Sequence, residues 1–147
     1  MSIVVITSPW RDAPRSPAPP AQDAMWRLWE RAQAVGVDLL WHPCRDVAEL
    51  TAHLARSPVE HAELVLLDID AAAVPEEDKE PLRHALASLE APYIEVHEGS
   101  DETDASALVP GHPSLVSVVV PGDACASYDM ALSIGLRYLG AGRRLAA

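Results

Sequence analysis

Five short runs rich in Val, Ile and Leu constrain this chain more than any other feature. They are SIVVIT (2–7), VDLLWH (37–42), AELVLLDI (62–69), PYIEVH (92–97) and SLVSVVV (114–120). Near-continuous apolar runs of this length suit β-strands covered on both faces. Between them the apolar residues fall three and four apart: Met25, Leu28, Trp29 and Ala32; Val47, Leu50 and Leu54; Leu82, Ala85, Leu86 and Leu89; Tyr128, Ala131, Leu132, Gly135 and Leu139. That is the period of helices with one buried stripe. Gly36 is placed to end the first helix, and Asp46 with Glu49 three residues later resembles a capping box opening the second, with Asp in place of the usual Ser or Thr. The order is βαβαβαβ, a short irregular connection, then βα.

Such alternation implies a parallel sheet with helices on both faces, because right-handed crossovers leave few other topologies. The expected fold is α/β: a flavodoxin-like three-layer αβα arrangement with a five-stranded parallel sheet in the order 2-1-3-4-5. At 147 residues and 49% hydrophobic content, the chain suffices for one core and is too short for two, so residues 1–147 are expected to form a single domain. Ligands on such sheets bind beyond the carboxyl ends of the strands, near the switch between strands 1 and 3. The first connection at that edge, residues 8–21, holds five prolines and is long for a strand-to-helix loop. It reads either as a lid or as a solvated loop.

The net charge is −11, and the ten Arg and one Lys form no basic run, which argues against nucleic acid or an anionic membrane as partner. The first ten residues hold an apolar stretch of only four, with no basic flank, so neither a signal peptide nor a membrane span is expected and the cytoplasm is the expected location. Cys44 and Cys125 lie far apart without paired spacing, which suggests neither a disulfide framework nor a zinc site.

Glu95 and His97 stand two positions apart at the end of the fourth run, so a strand would point both the same way. Two readings fit His97: a general acid whose proton and tautomer are held by Glu95, or a histidine bonded to loop backbone. His42 ends the second run and could line the same edge, whereas His53 and His61 read as surface residues. Asp68 ends the third run where receiver domains of response regulators carry a phosphoacceptor. That chemistry also needs acidic residues after strand 1 and a lysine after strand 5; here strand 1 ends in TSPW, strand 5 in PGDAC, and Lys79 lies in the third helix. The receiver reading is rejected. Asp68, Asp70, Glu76, Glu77 and Asp78 could attract a divalent ion, but a solvated loop and helix start explain them more simply, and no metal is expected. TSPWRDAP lacks the glycines of a phosphate loop, and there is no G-x-S-x-G elbow, so no nucleotide cofactor is expected either.

Taken together, IEVHEGS (94–100), PLRHALASLEAPYIEVH (81–97), GDACASYDMAL (122–132) and LWERAQAVGVDLLW (28–41) resemble the type II 3-dehydroquinate dehydratases along nearly the whole chain. The resemblance implies a carbon–oxygen lyase of the shikimate-pathway kind acting without cofactor on a small cyclic carboxylic acid. His97 would protonate the leaving hydroxyl while Glu95 holds it. It also implies a homo-oligomer, built from trimers up to a dodecamer, with the third helix at the trimer contact. His84 stands where the family has an aspartate that reaches the neighbouring subunit's site. The implied cleft comprises Pro9, Trp10, Asp68, Glu95, His97, Gly99 and Ser100, with Arg11 or Arg15 closing over it.

The departures from the family pattern are specific. Strand 1 of the family runs into Asn-Gly-Pro-Asn; TSPW keeps only Pro9, and Trp10 would fill space that a ring-shaped acid otherwise occupies. The family's lid tyrosine, the base, has no counterpart: Tyr93, Tyr128 and Tyr138 belong to the fourth strand and last helix, leaving Asp12 and Asp23 as the carboxylates of TSPWRDAPRSPAPPAQD (7–23). The chain contains no asparagine, so the amides that orient base, acid and substrate are missing. Two functions follow from this pattern: a lyase acting on a hydroxy acid related to 3-dehydroquinate, or an inactive paralogue that binds a small acid or serves structurally.

Overall fold

A computed structural model describes residues 1–7, 22–55, 62–97, 103, 105–108, 110–121 and 123–146, with backbone alone for 22–25, 124 and 141–146. In chain order these form β1 (Ser2–Thr7), α1 (Gln22–Ala34), β2 (Asp38–Pro43), α2 (Val47–Leu54), β3 (Leu64–Asp68), α3 (Glu76–Ser88), β4 (Tyr93–His97), β5 (Ser117–Val119) and α4 (Ala124–Ala146). Short 3-10 turns occupy Ala71–Ala73 and Ala105–Leu108. The sheet order is β2-β1-β3-β4-β5 and every pairing is parallel, as the alternation predicts.

The central strands are apolar on both sides because both sides are covered. Val4, Ile6, Val65, Leu67 and Tyr93 meet α2 and α3 through Val47, Leu50, Leu54, Leu82 and Leu86. Ile3, Val5, Leu66, Ile94 and Val96 meet α1 and α4 through Leu28, Ala32, Tyr128, Ala131 and Leu132. Each such Leu or Ile, fully buried, contributes about 1.5–3 kcal/mol of transfer free energy. The expected stripes of α2, α3 and α4 are all buried. In α1 the stripe is narrower than expected. Trp29 is 39% exposed and stacks on Trp26 with ring centroids 4.9 Å apart, because only Leu28 and Ala32 of the described side chains reach the sheet.

The helix ends follow the sequence with one amendment. Gly36 adopts φ +74°, while its N–H donates to the Gln33 carbonyl and that of Val37 to the Ala32 carbonyl, both at 3.0 Å, giving a Schellman turn. Asp46 accepts from the Glu49 N–H at 2.8 Å. Glu49 does not return the bond to Asp46: its carboxylate accepts from the Arg45 N–H at 3.2 Å and from Arg45 Nε at 3.3 Å, so the capping box closes one residue early. The last apolar run also pairs over a shorter length than expected. Only Ser117–Val119 is regular strand, although Leu115 still donates to the Tyr93 carbonyl at 2.8 Å.

Candidate active site

Alternation along β4 turns Tyr93, Glu95 and His97 toward the α2/α3 side and Ile94 and Val96 toward α1/α4. Glu95 and His97 are both 2% exposed, yet Glu95 is richly supplied with donors. Its Oε1 accepts from the Ala105 N–H at 2.7 Å, and its Oε2 accepts from the Ser117 hydroxyl at 2.8 Å. His97 Nε2 lies 3.6 Å from the same Oε2. Burial pushes the Glu95 carboxyl up, but His97, Ser117 and Ala105 together outweigh it and hold the group below the usual carboxylate range. At 3.6 Å the imidazole is within ion-pair range of Oε2 but too distant for a good hydrogen bond, and the two shorter donors fix the carboxylate.

The connection after β4 is fastened back to this edge. Asp70 Oδ1 accepts from the Thr103 N–H at 3.0 Å and the Ala72 N–H at 3.1 Å, and Ala71 donates to the Thr103 carbonyl at 3.0 Å. Ala105 on Glu95 continues that attachment. On the other side of His97, the Ser127 hydroxyl accepts from the Val120 N–H at 2.9 Å and donates to the His97 carbonyl at 3.0 Å, with the Asp123 carbonyl at 3.2 Å as its alternative acceptor. One buried hydroxyl thus joins the ends of β4 and β5 to the first turn of α4.

Asp68 sits at the same edge but on the other face. It pairs in register with Val96, which points toward α4, and the Tyr128 hydroxyl donates to its Oδ2 at 2.7 Å. Both residues are 1% exposed. Among the described residues, Glu95 and His97 face the α2/α3 side and Asp68 is engaged by Tyr128 on the α1/α4 side. The remaining acidic residues show no shared centre. Asp70 binds backbone amides, Glu76 bonds Lys79 at 2.7 Å, and no metal-holding group of His, Cys, Asp or Glu occurs among the described residues.

His42 and His53 do not behave as separate residues. Their rings stack with centroids 4.7 Å apart, and His53 Nε2 lies 3.8 Å from Glu49 Oε1, so His53 is half-buried rather than a surface residue. Burial, then the neighbouring His53, lowers the pKa of His42. His84 is exposed on α3 and lines a groove of about 1020 Å³ with Thr51, Leu54, Pro81, Ala85 and Leu89. Because α3 runs back along the sheet in its crossover, this groove lies toward the amino ends of the strands, away from Glu95 and His97.

Pro9, Trp10, Arg11, Asp12, Arg15, Gly99 and Ser100, the expected lid 8–21 and His61 lie outside the described residues, as does the side chain of Asp23. The sequence reading found Glu95 and His97 from alternation alone but missed Ser117, Ser127 and the bond between Asp68 and Tyr128. A signal for Ser117 was present. It is a polar residue inside an apolar run, and in register it stands beside Glu95.

No protein-family model matches the chain, and a search of curated proteins returns no match. Solved structures do resemble it. A type II dehydroquinase from Butyrivibrio crossotus DSM 2876 superposes with a TM-score of 0.65 at 14% identity, over 91% of this chain and 96% of that one. A type II dehydroquinase from Propionibacterium acnes gives 0.60 at 18% identity, covering 90% and 94%. A 3-dehydroquinate dehydratase-like protein from Bifidobacterium longum gives 0.58 at 15% identity, covering 95% and 96%. At these identities the chain shares with the dehydroquinases their fold, a five-stranded parallel α/β sheet in the order 2-1-3-4-5.

Proposed function

We propose that the chain is a type II dehydroquinase-like carbon–oxygen lyase acting on a small cyclic hydroxy acid related to 3-dehydroquinate. The observation that carries this reading is the buried Glu95/His97 couple at the carboxyl end of β4, in a fold shared with solved dehydroquinases. In the reaction a base removes a proton beside the substrate's ketone. The electron pair released forms the carbon–carbon double bond, the C–O bond breaks, and His97 gives its proton to the departing hydroxyl. Glu95, kept anionic by Ser117 and Ala105, stabilises the protonated imidazole before that transfer. The tyrosine base of the family has no counterpart, which leaves only Asp12 or Asp23, poorly suited beside arginines, for that role; Arg11 or Arg15 offers charge to the substrate's carboxylate alongside Pro9, Trp10, Gly99 and Ser100. Copies of the chain assemble in trimers through α3, with His84 directed toward a neighbour.

A second reading, an inactive paralogue that binds a small acid, is favoured by the tyrosines. The Tyr93 hydroxyl donates to the His112 carbonyl at 3.1 Å and that of Tyr128 to Asp68, so both hydroxyls are already engaged within the described residues. The experiment incubates the protein with 3-dehydroquinate and with related cyclic hydroxy acids, following ultraviolet absorbance of the conjugated product, with His97→Ala as control. Turnover of 3-dehydroquinate itself is expected to fall below the common enzymatic range of roughly 1 to 10³ per second, since losing a positioned base costs about 10²- to 10⁴-fold. A related acid should give product that disappears in His97→Ala. No product from any acid, with a raised melting temperature in the presence of one, would instead establish the binding protein.

A further inference from the structure

We propose that Ser117 is a positioning residue that governs how firmly Glu95 holds the His97 imidazole; the inference rests on the reading of Glu95/His97 as the acid couple. Ser117 is exposed on the edge strand β5, yet its hydroxyl reaches a carboxylate that is 2% exposed. The register explains how. Glu95 pairs with Ser117, so the two side chains leave the sheet side by side on one face.

The decisive feature is that Ser117 and His97 address the same oxygen. Oε2 takes the Ser117 hydroxyl at 2.8 Å and faces His97 Nε2 at 3.6 Å, while Oε1 is anchored on the Ala105 amide at 2.7 Å. Two short bonds, one on each oxygen, fix the plane of the carboxylate. The hydroxyl also draws on the negative charge of Oε2, the oxygen that faces the imidazole. Ser117 therefore stabilises the Glu95 anion and at the same time restrains its grip on His97. A general acid needs this balance: an imidazolium held too tightly by its carboxylate gives up its proton reluctantly. Among the described residues, the other titratable group on this face of β4 is Tyr93, whose phenol is pushed up to about 12 by burial and by Glu95, and which stays neutral while His97 titrates.

The test is a titration of the His97 ring by nuclear magnetic resonance in the wild type, Ser117→Ala, Ser117→Thr and Glu95→Gln, and in Ser117→Ala combined with Glu95→Gln. This readout requires no turnover, so it stands whether or not the protein proves to be a lyase. Without the hydroxyl, Oε2 is freed for the imidazole, and the His97 midpoint should rise by about half a unit to one unit. Ser117→Thr, which keeps the hydroxyl, should restore it. With Glu95 already neutralised, Ser117→Ala should move nothing. A midpoint that stays or falls in Ser117→Ala, that rises equally in Ser117→Thr, or that still responds to Ser117 when residue 95 is Gln overturns the proposal. If a related acid is turned over, the alkaline limb of its pH–rate profile should move with the midpoint. Absence of turnover with a shifted midpoint would count against the lyase alone.

Discussion

At the scale of single residues, two buried polar groups allow sharp expectations. Tyr128 donates to Asp68 where both are nearly solvent-free, so Tyr128→Phe removes a buried hydrogen bond and should cost about 0.5–1.5 kcal/mol in urea unfolding. Asp68→Asn, which keeps an acceptor for the same hydroxyl, should cost less. His42 has a buried Nε2 with no hydrogen-bond partner among the described residues and stacks on His53, with Glu49 and Arg45 on the same rim. Burial first and His53 second bring its folded pKa below the ordinary 6.5. A histidine whose pKa is lowered by folding contributes stability that is complete above the unfolded value and is lost as pH falls below it. The melting temperature should therefore drop between neutral pH and about pH 5. His42→Phe, which keeps the stacked ring and cannot ionise, should flatten that part of the curve. An equally steep fall in His42→Phe would remove His42 from the account.

At the scale of elements, three glycines measure how closely neighbouring elements approach one another. A Cβ on Gly135 would stand 2.5 Å from Leu64 Cδ2, with Ile3 and Ile94 close behind, so α4 lies against β3 at a distance only a hydrogen allows. Leu64 is itself fully buried and has little room to turn away. Gly135→Ala should cost about 1–3 kcal/mol despite the better helix former. Gly111→Ala meets the Ala87 carbonyl oxygen at 2.5 Å, a backbone atom, and should cost at least as much. Gly140→Ala meets nothing within 4 Å among the described residues and should stabilise by up to about 1 kcal/mol. Thermal melts of the three variants would order them. The elements were legible in the sequence because a strand covered on both faces has to be apolar throughout. The limits of β5 were not, because an edge strand extends only as far as its single neighbour pairs with it. Trp29 was misplaced for a related reason: helical period finds a stripe, while the helix's position on the sheet sets how much of that stripe is covered. Glu95 and His97 were legible through the alternation of one strand. Asp68 with Tyr128, 60 positions apart, was not, since only the seating of α4 against the sheet joins them.

For the molecule as a whole, the proposed trimer-based assembly has to work against a charge of −11 on each copy. Like-charged copies associate better when screened, so sedimentation velocity should show larger species gaining as salt is raised. A monomer at micromolar concentration at every salt level would end that proposal. Among the described residues no helix is long and apolar enough to cross a membrane, and β2 and β5 are left as the two free edges of the sheet. A last consequence belongs to the hydroxyl of Ser127, which touches the backbone of β4, the residue after β5 and the first turn of α4. Local opening in a protein proceeds in cooperative units, and segments that share a bond open together. The carbonyl behind His97 is thus tied to the start of the longest helix in the fold. Fraying at the carboxyl edge of the sheet has to loosen α4 as well, so the imidazole at the end of β4 shares the persistence of a 23-residue helix.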